Sequence, residues 1–237
     1  MALWKCPGQD RRDFAPEDVI LAPCPSCGAE IEFFPDDIMV RCSACKKLAR
    51  NPRFNPACAA WCEYADRCLG EVAEAYRRQP EVLREKLLLE ASRRLKDPES
   101  RKTALSAASY AAELSRREGG SPLVVTAAVL LREIAGACGQ TRGVSQAEAA
   151  ELAKIIMAKT GVPEETTAEI AEIVRALPGS GRARNINARL ARDALRLAGW
   201  SQEIKGKNPE EISALAETFE TAAGRELALS AASKRRG

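Results

Sequence analysis

Histidine is absent from this 237-residue chain. That absence removes the commonest neutral metal ligand and the commonest general base. No His-ligated metal, Ser-His-Asp triad or Cys-His pair can form within the chain. Aromatic residues are scarce, at 5 %, which leaves little for stacking on nucleic-acid bases. No apolar run approaches the ~20 residues of a membrane span. The start, Met1-Ala2-Leu3-Trp4-Lys5-Cys6-Pro7, has no apolar signal core. A cytoplasmic protein without a membrane is therefore expected. Strong charge of one sign is also missing: the net charge is +3, so no global field imposes a polyanionic partner. Past Gly70 cysteine nearly vanishes, since eight of the nine precede residue 70. The reducing compartment expected for the chain disfavours disulfides among them.

What the first 70 residues do have is a ligand pattern. Cys24-Pro25-Ser26-Cys27 and Cys42-Ser43-Ala44-Cys45 are two Cys-x-x-Cys pairs separated by fourteen residues. Four thiolates on two tight turns suit a tetrahedral ion such as zinc, and the gap is only just below the ~15 usual for this spacing class. Gly28 follows the first pair, where a knuckle needs a residue tolerant of positive φ. Glu30–Phe34 alternates like a strand, Pro35-Asp36-Asp37 reads as a turn, and Ile38–Arg41 reads as the partner strand. The expectation is a zinc ribbon over residues 22–47. A second group, Cys58, Cys62 and Cys68, lies where positions i and i+4 share a helical face. With Cys6 as fourth ligand it is a candidate for a [4Fe-4S] cluster or a second zinc. The alternative for these three is a short helix with buried thiols. Cys138 reads as a core thiol, with a reactive thiol as the alternative.

Residues 71–237 are rich in Ala, Leu, Glu and Arg with helical periodicity and clear breaks. Helices are expected over 71–79, 81–96, 99–117, 122–137, 146–159, 164–177, 187–197 and 209–230. The one from Pro122 is apolar almost all round and so must be central. The fold class is therefore mostly α: an all-α helical domain over 71–237, preceded by a small cysteine-rich metal-binding module over 1–70.

Three stretches carry a resemblance. Ser109–Gly120 looks like the helix and Gly-rich turn that follow the first histidine of the HD-domain superfamily of metal-dependent phosphohydrolases. Ala127–Gly136 looks like that family's central helix, and Gly161–Thr166 like the link between its next two helices. The order, with Trp4–Asp10 and the cysteines in front, is similar to bacterial HD proteins with cysteine-rich N-termini. The resemblance implies an HD-like fold, but its ligands are mostly replaced. Thr103 falls where the first His belongs, Arg132-Glu133 replaces His-Asp, and Ala176 and Leu177 fall near the later histidines. Asp193 alone matches a metal ligand. A salt bridge of Arg132 with Asp193 is the bland expectation for this degenerate site. Arg182, Arg184, Arg189 and Arg192 form a candidate anion-binding cluster, with Arg189, Arg192 and Arg196 on one helical stripe; a solvated face is the alternative.

The function this implies is a non-catalytic, metal-binding regulatory or interaction protein with a zinc ribbon and an inactive HD-like domain. A protein partner is expected, with an anionic or nucleic-acid ligand in view through the ribbon and the arginine stripe. Two alternatives stand beside it: an iron–sulfur redox or electron-transfer accessory protein, and a residual phosphohydrolase using Asp193 and Glu133.

Overall fold

The computed structural model describes residues 5, 15–54, 56–138, 144–177, 183 and 185–234. They are mostly helical, with ten α-helices and four short strands. No helix among them is long and apolar enough to cross a membrane. The chain divides into two compact units, Met1–Gln79 and Pro80–Gly237.

The first unit starts with β1 (Ile20–Pro23), β2 (Glu30–Phe33), β3 (Met39–Arg41) and β4 (Leu48–Arg50). Here the structure corrects the expected pairing. β2 does not pair with β3; β1 pairs antiparallel with β2 and β3 with β4. The reason is local. In the first cysteine turn the Cys24 N–H donates to the Ala29 carbonyl at 2.7 Å and the Gly28 N–H to the Cys24 carbonyl at 2.9 Å. The second repeats this, Cys42 to Lys47 at 2.9 Å and Lys46 to Cys42 at 3.0 Å. Each knuckle is thus the loop of its own hairpin. Asp36 and Asp37 join the two hairpins instead of making one. The buried Asn51 amide ties that link down, donating to the carbonyls of Phe34 at 3.1 Å and Asp37 at 3.0 Å. Lys5 reaches both aspartates, at 3.1 and 2.8 Å.

A 3-10 turn over Pro56–Ala60, α1 (Ala65–Leu69) and α2 (Glu71–Arg77) complete this unit. Arg77 fixes α2 there: its guanidinium donates to the Ala59 carbonyl at 2.7 Å and pairs with Asp66 at 2.7 Å. The composition changes at Gly70, but α2 packs with what precedes it, and Pro80 opens the second unit.

That unit contains α3 (Pro80–Arg94), α4 (Pro98–Glu118), α5 (Pro122–Cys138), α6 (Gln146–Thr160), α7 (Glu164–Ala176), α8 (Ile186–Glu203), α9 (Pro209–Ala216) and α10 (Ala222–Lys234). As its all-round apolar pattern requires, α5 is central and packs against α3, α4, α6, α7 and α8, with every residue from Leu123 to Leu131 buried. Local signals set the ends. Asp97 caps α4 ahead of Pro98, and reciprocal Ser145–Glu148 and Asn208–Glu211 capping boxes open α6 and α9. In the α4–α5 turn Gly120 is needed for space: a Cβ there would collide with Leu190 and the Asn187 amide of α8.

One expected helix is really two. Residues 209–230 are interrupted at 217–221, because Asp193 on α8 takes the N–H groups of Glu220 and Thr221, and Phe219 packs edge-on to Trp200 at 5.2 Å.

Candidate metal centre

The knuckles bring Cys24, Cys27, Cys42 and Cys45 together, with all four sulfurs within 4.8 Å of one another. Cys24 Sγ lies 3.7 Å from Cys45 Sγ, and Cys27 Sγ 3.7 Å from Cys42 Sγ. Metal–sulfur bonds of ~2.3 Å at tetrahedral angles place sulfurs ~3.8 Å apart, so the donor set fits a four-coordinate ion such as zinc or iron. Disulfide sulfurs would sit at ~2.05 Å, far closer than these pairs.

The backbone shapes each thiol. The Ser26 N–H points at Cys24 Sγ at 3.4 Å, and this hydrogen bond foremost lowers the Cys24 thiol against the opposing effect of burial. Cys42 is brought down to about 6, first by the Cys45 backbone N–H and against its desolvation. Cys27 receives the Ala29 N–H, yet its hydrogen bonds with the other thiols and its desolvation together push it up to about 11. Thiolates are the ligands a metal needs, and backbone N–H groups aimed at sulfur prepare the site for them.

Gly28 adopts φ 77° in the first knuckle, as its position requires. The second knuckle puts Lys46 at φ 62° in the equivalent place. A lysine gives no sequence signal for that conformation, so only the repeat of the cysteine pair could have located it.

Cys58, Cys62 and Cys68 are not gathered in the same way: among the described residues only Cys24, Cys27, Cys42 and Cys45 form a ligand-spaced group. Cys68 is buried, whereas Cys58 is exposed. Cys6 lies outside the described residues, as do Arg182 and Arg184.

In the helical unit Thr103 lies on α4, Arg132 and Glu133 on α5 and Asp193 on α8. Thr103, on α4, walls a cleft of about 380 Å3 together with Ser106, Tyr110, Trp200 and Gln202. Arg132 and Glu133 sit half-buried on α5. Burial raises the Glu133 carboxyl, and the Arg132 guanidinium opposes this. Arg132 does not pair with Asp193. Asp193 is buried and turned to the α9–α10 connection, with Oδ1 accepting the Glu220 N–H at 3.0 Å and Oδ2 accepting the Thr221 N–H at 2.9 Å and hydroxyl at 2.6 Å. Gly224 leaves room for it, since a Cβ there would strike Oδ2.

The arginine stripe is engaged internally. Arg189 donates to the Glu220 carbonyl, and Arg192 to Glu220 Oε1 at 3.1 Å and the Ala176 carbonyl at 3.1 Å. Arg196 forks onto Glu203 at 2.6 Å and covers the Phe219 ring at 4.4 Å. Glu220 is the residue sequence reasoning missed. It also accepts the Ala183 N–H at 3.1 Å, and nothing in its own neighbourhood of the sequence marks it.

No family model matches the chain, and comparison with curated proteins and with solved structures likewise gave no match.

Proposed function

We propose that this is a non-catalytic, metal-stabilised binding protein. Its tetracysteine ribbon holds zinc and is the recognition surface for a regulatory partner. Its helical unit is a scaffold of HD-like order that has lost the hydrolytic centre. The observation that carries this reading is the four-sulfur group at tetrahedral spacing in a chain with no imidazole. The engagement of Asp193 by Glu220 and Thr221 supports the second half, because a carboxylate saturated by three donors has little left to give a metal. When bound, zinc would supply folding free energy to a module too small to hold itself.

The same donor set accepts iron, and the backbone N–H aimed at Cys24 Sγ is the kind of contact that tunes a redox potential. An electron-transfer role is therefore the second reading. A cluster at Cys6, Cys58, Cys62 and Cys68 would require the last three to be drawn together. Anaerobic purification with zinc and iron counted separately tests both. One zinc per chain in colourless protein supports the first reading, and coloured iron-bearing protein moves the assignment to redox. Robust metal-dependent phosphatase activity that disappears in Asp193→Asn would overturn the scaffold role.

A further inference from the structure

Charge is divided along the first unit. Residues 15–40 carry six carboxylates and no Lys or Arg, whereas residues 41–62 carry Arg41, Lys46, Lys47, Arg50 and Arg53 and no carboxylate. The strand pairing turns this division into two surfaces. Glu30 and Glu32 lie on the first hairpin, and the five cations lie on or just past the second. All five are exposed. The ion pairs of this unit among its described residues join Lys5 to Asp36 and Asp37, Arg77 to Asp66 and Arg78 to Glu74. None of them draws on Lys46, Lys47, Arg50 or Arg53. On β3 and β4 the buried Ala49 faces Val40, so strand alternation puts Arg41 and Arg50 together on the opposite face. Lys46 and Lys47 form the tip, in the knuckle itself.

Some positive charge is expected beside a tetrathiolate centre. A divalent ion with four thiolates carries a net charge of about −2, which leaves roughly two of Lys46, Lys47, Arg50 and Arg53 in excess. We propose that the β3–β4 hairpin docks onto duplex DNA through the phosphate backbone, without reading sequence. A two-stranded ribbon can enter the ~12 Å major groove of B-form DNA, whereas the A-form groove of duplex RNA is too narrow for it. The hairpin from Met39 to Arg50 contains no aromatic residue, so it offers no platform on which single-stranded bases could stack. The acidic first hairpin repels the same backbone and so orients the module on it. This proposal rests on the metal-held ribbon of the preceding section.

The test uses the full chain, with zinc counted in every sample. Fluorescence anisotropy follows binding to a short duplex DNA of mixed sequence, its RNA duplex and its single strand over a range of salt. Engagement of four phosphates by Lys46, Lys47, Arg50 and Arg53 predicts a log–log salt slope of about −3.6 on duplex DNA. Lys47→Glu with Arg50→Glu should weaken binding at least tenfold and flatten the slope by about 2, with zinc content unchanged. Glu30→Gln with Glu32→Gln should leave the slope as it was. Zinc-loaded chain that ignores duplex DNA overturns the proposal and leaves the metal reading standing. So does a slope insensitive to Lys47 and Arg50, tighter binding to the RNA duplex or the single strand, or equal displacement by an acidic polypeptide. A chain that takes up no metal and has an unfolded ribbon defeats the metal reading and this one together.

Discussion

Asp193 offers the sharpest contrast between two ways of reading one residue. As a leftover metal ligand it would be dispensable for folding. As placed here it holds the connection between α9 and α10 by accepting three hydrogen bonds, at 3.0, 2.9 and 2.6 Å. Burial raises its carboxyl above the ordinary range despite those donors, the Thr221 hydroxyl first among them, so a neutral isostere fits the site without great strain. In Asp193→Asn the amide oxygen, turned to the Oδ2 position, still accepts the Thr221 N–H and hydroxyl. Only the Glu220 N–H, which then faces the amide nitrogen, is orphaned, which costs about 1–3 kcal/mol. Asp193→Ala orphans both N–H groups and the hydroxyl and leaves a void beside Gly224, so about 3–5 kcal/mol is expected. Urea unfolding followed by circular dichroism, with the m-value checked for constancy, measures both. A cost below about 1 kcal/mol for the alanine variant, or an asparagine variant as costly as the alanine one, would refute the anchoring role.

Three further outcomes follow from the same geometry. Cys42→Ser should lower metal content by one ion per chain and collapse the ribbon's amide dispersion in NMR spectra while helical circular dichroism persists, since the two units are separately compact. Glu133→Gln should raise stability at pH 7 relative to pH 4.5. Its carboxyl is raised by burial more than Arg132 lowers it, so the folded state holds the proton more tightly than the unfolded state does. Stability from this group therefore falls as pH rises from the unfolded value of ~4.3 through the folded one, and the urea midpoint of the glutamine variant should lose that dependence. Gly120→Ala should cost about 1–3 kcal/mol by thermal or urea unfolding, because its methyl group meets Leu190 and Asn187.

What the sequence made legible was local. The cysteine pairs and the all-round apolar stretch of α5 each depend on neighbours a few residues away, and each lies where its pattern puts it. Strand pairing was less accessible, because Glu30–Phe33 alternates equally well for a partner on either side. The decision lay in backbone hydrogen bonds that close each knuckle into a hairpin loop. The break in the last expected helix was invisible for a different reason. No proline or glycine interrupts residues 217–221, and the interruption comes from Asp193, 27 residues earlier in the chain. The arginine stripe has the same lesson in reverse. The i, i+3, i+7 spacing of Arg189, Arg192 and Arg196 does align them, but Glu220 and Glu203, brought in by the fold, determine what they do.

That difference in pairing bears on where recognition belongs. An arginine that donates to a backbone carbonyl or forks onto a glutamate has committed donors that a phosphate would otherwise take, and displacing a glutamate partner would leave its charge half-buried. The α8 stripe is in this position: Glu220 is shared by Arg189, Arg192 and the Ala183 N–H, so drawing one arginine outward loosens contacts of the others. Lys46, Lys47 and Arg50 stand on a hairpin whose own segment supplies no carboxylate, and their exposed side chains can meet a polyanion without breaking an ion pair among the described residues. Equal numbers of cations on two surfaces are thus unequal in what they can bind, and the ribbon, despite its size, is the surface with charge to offer.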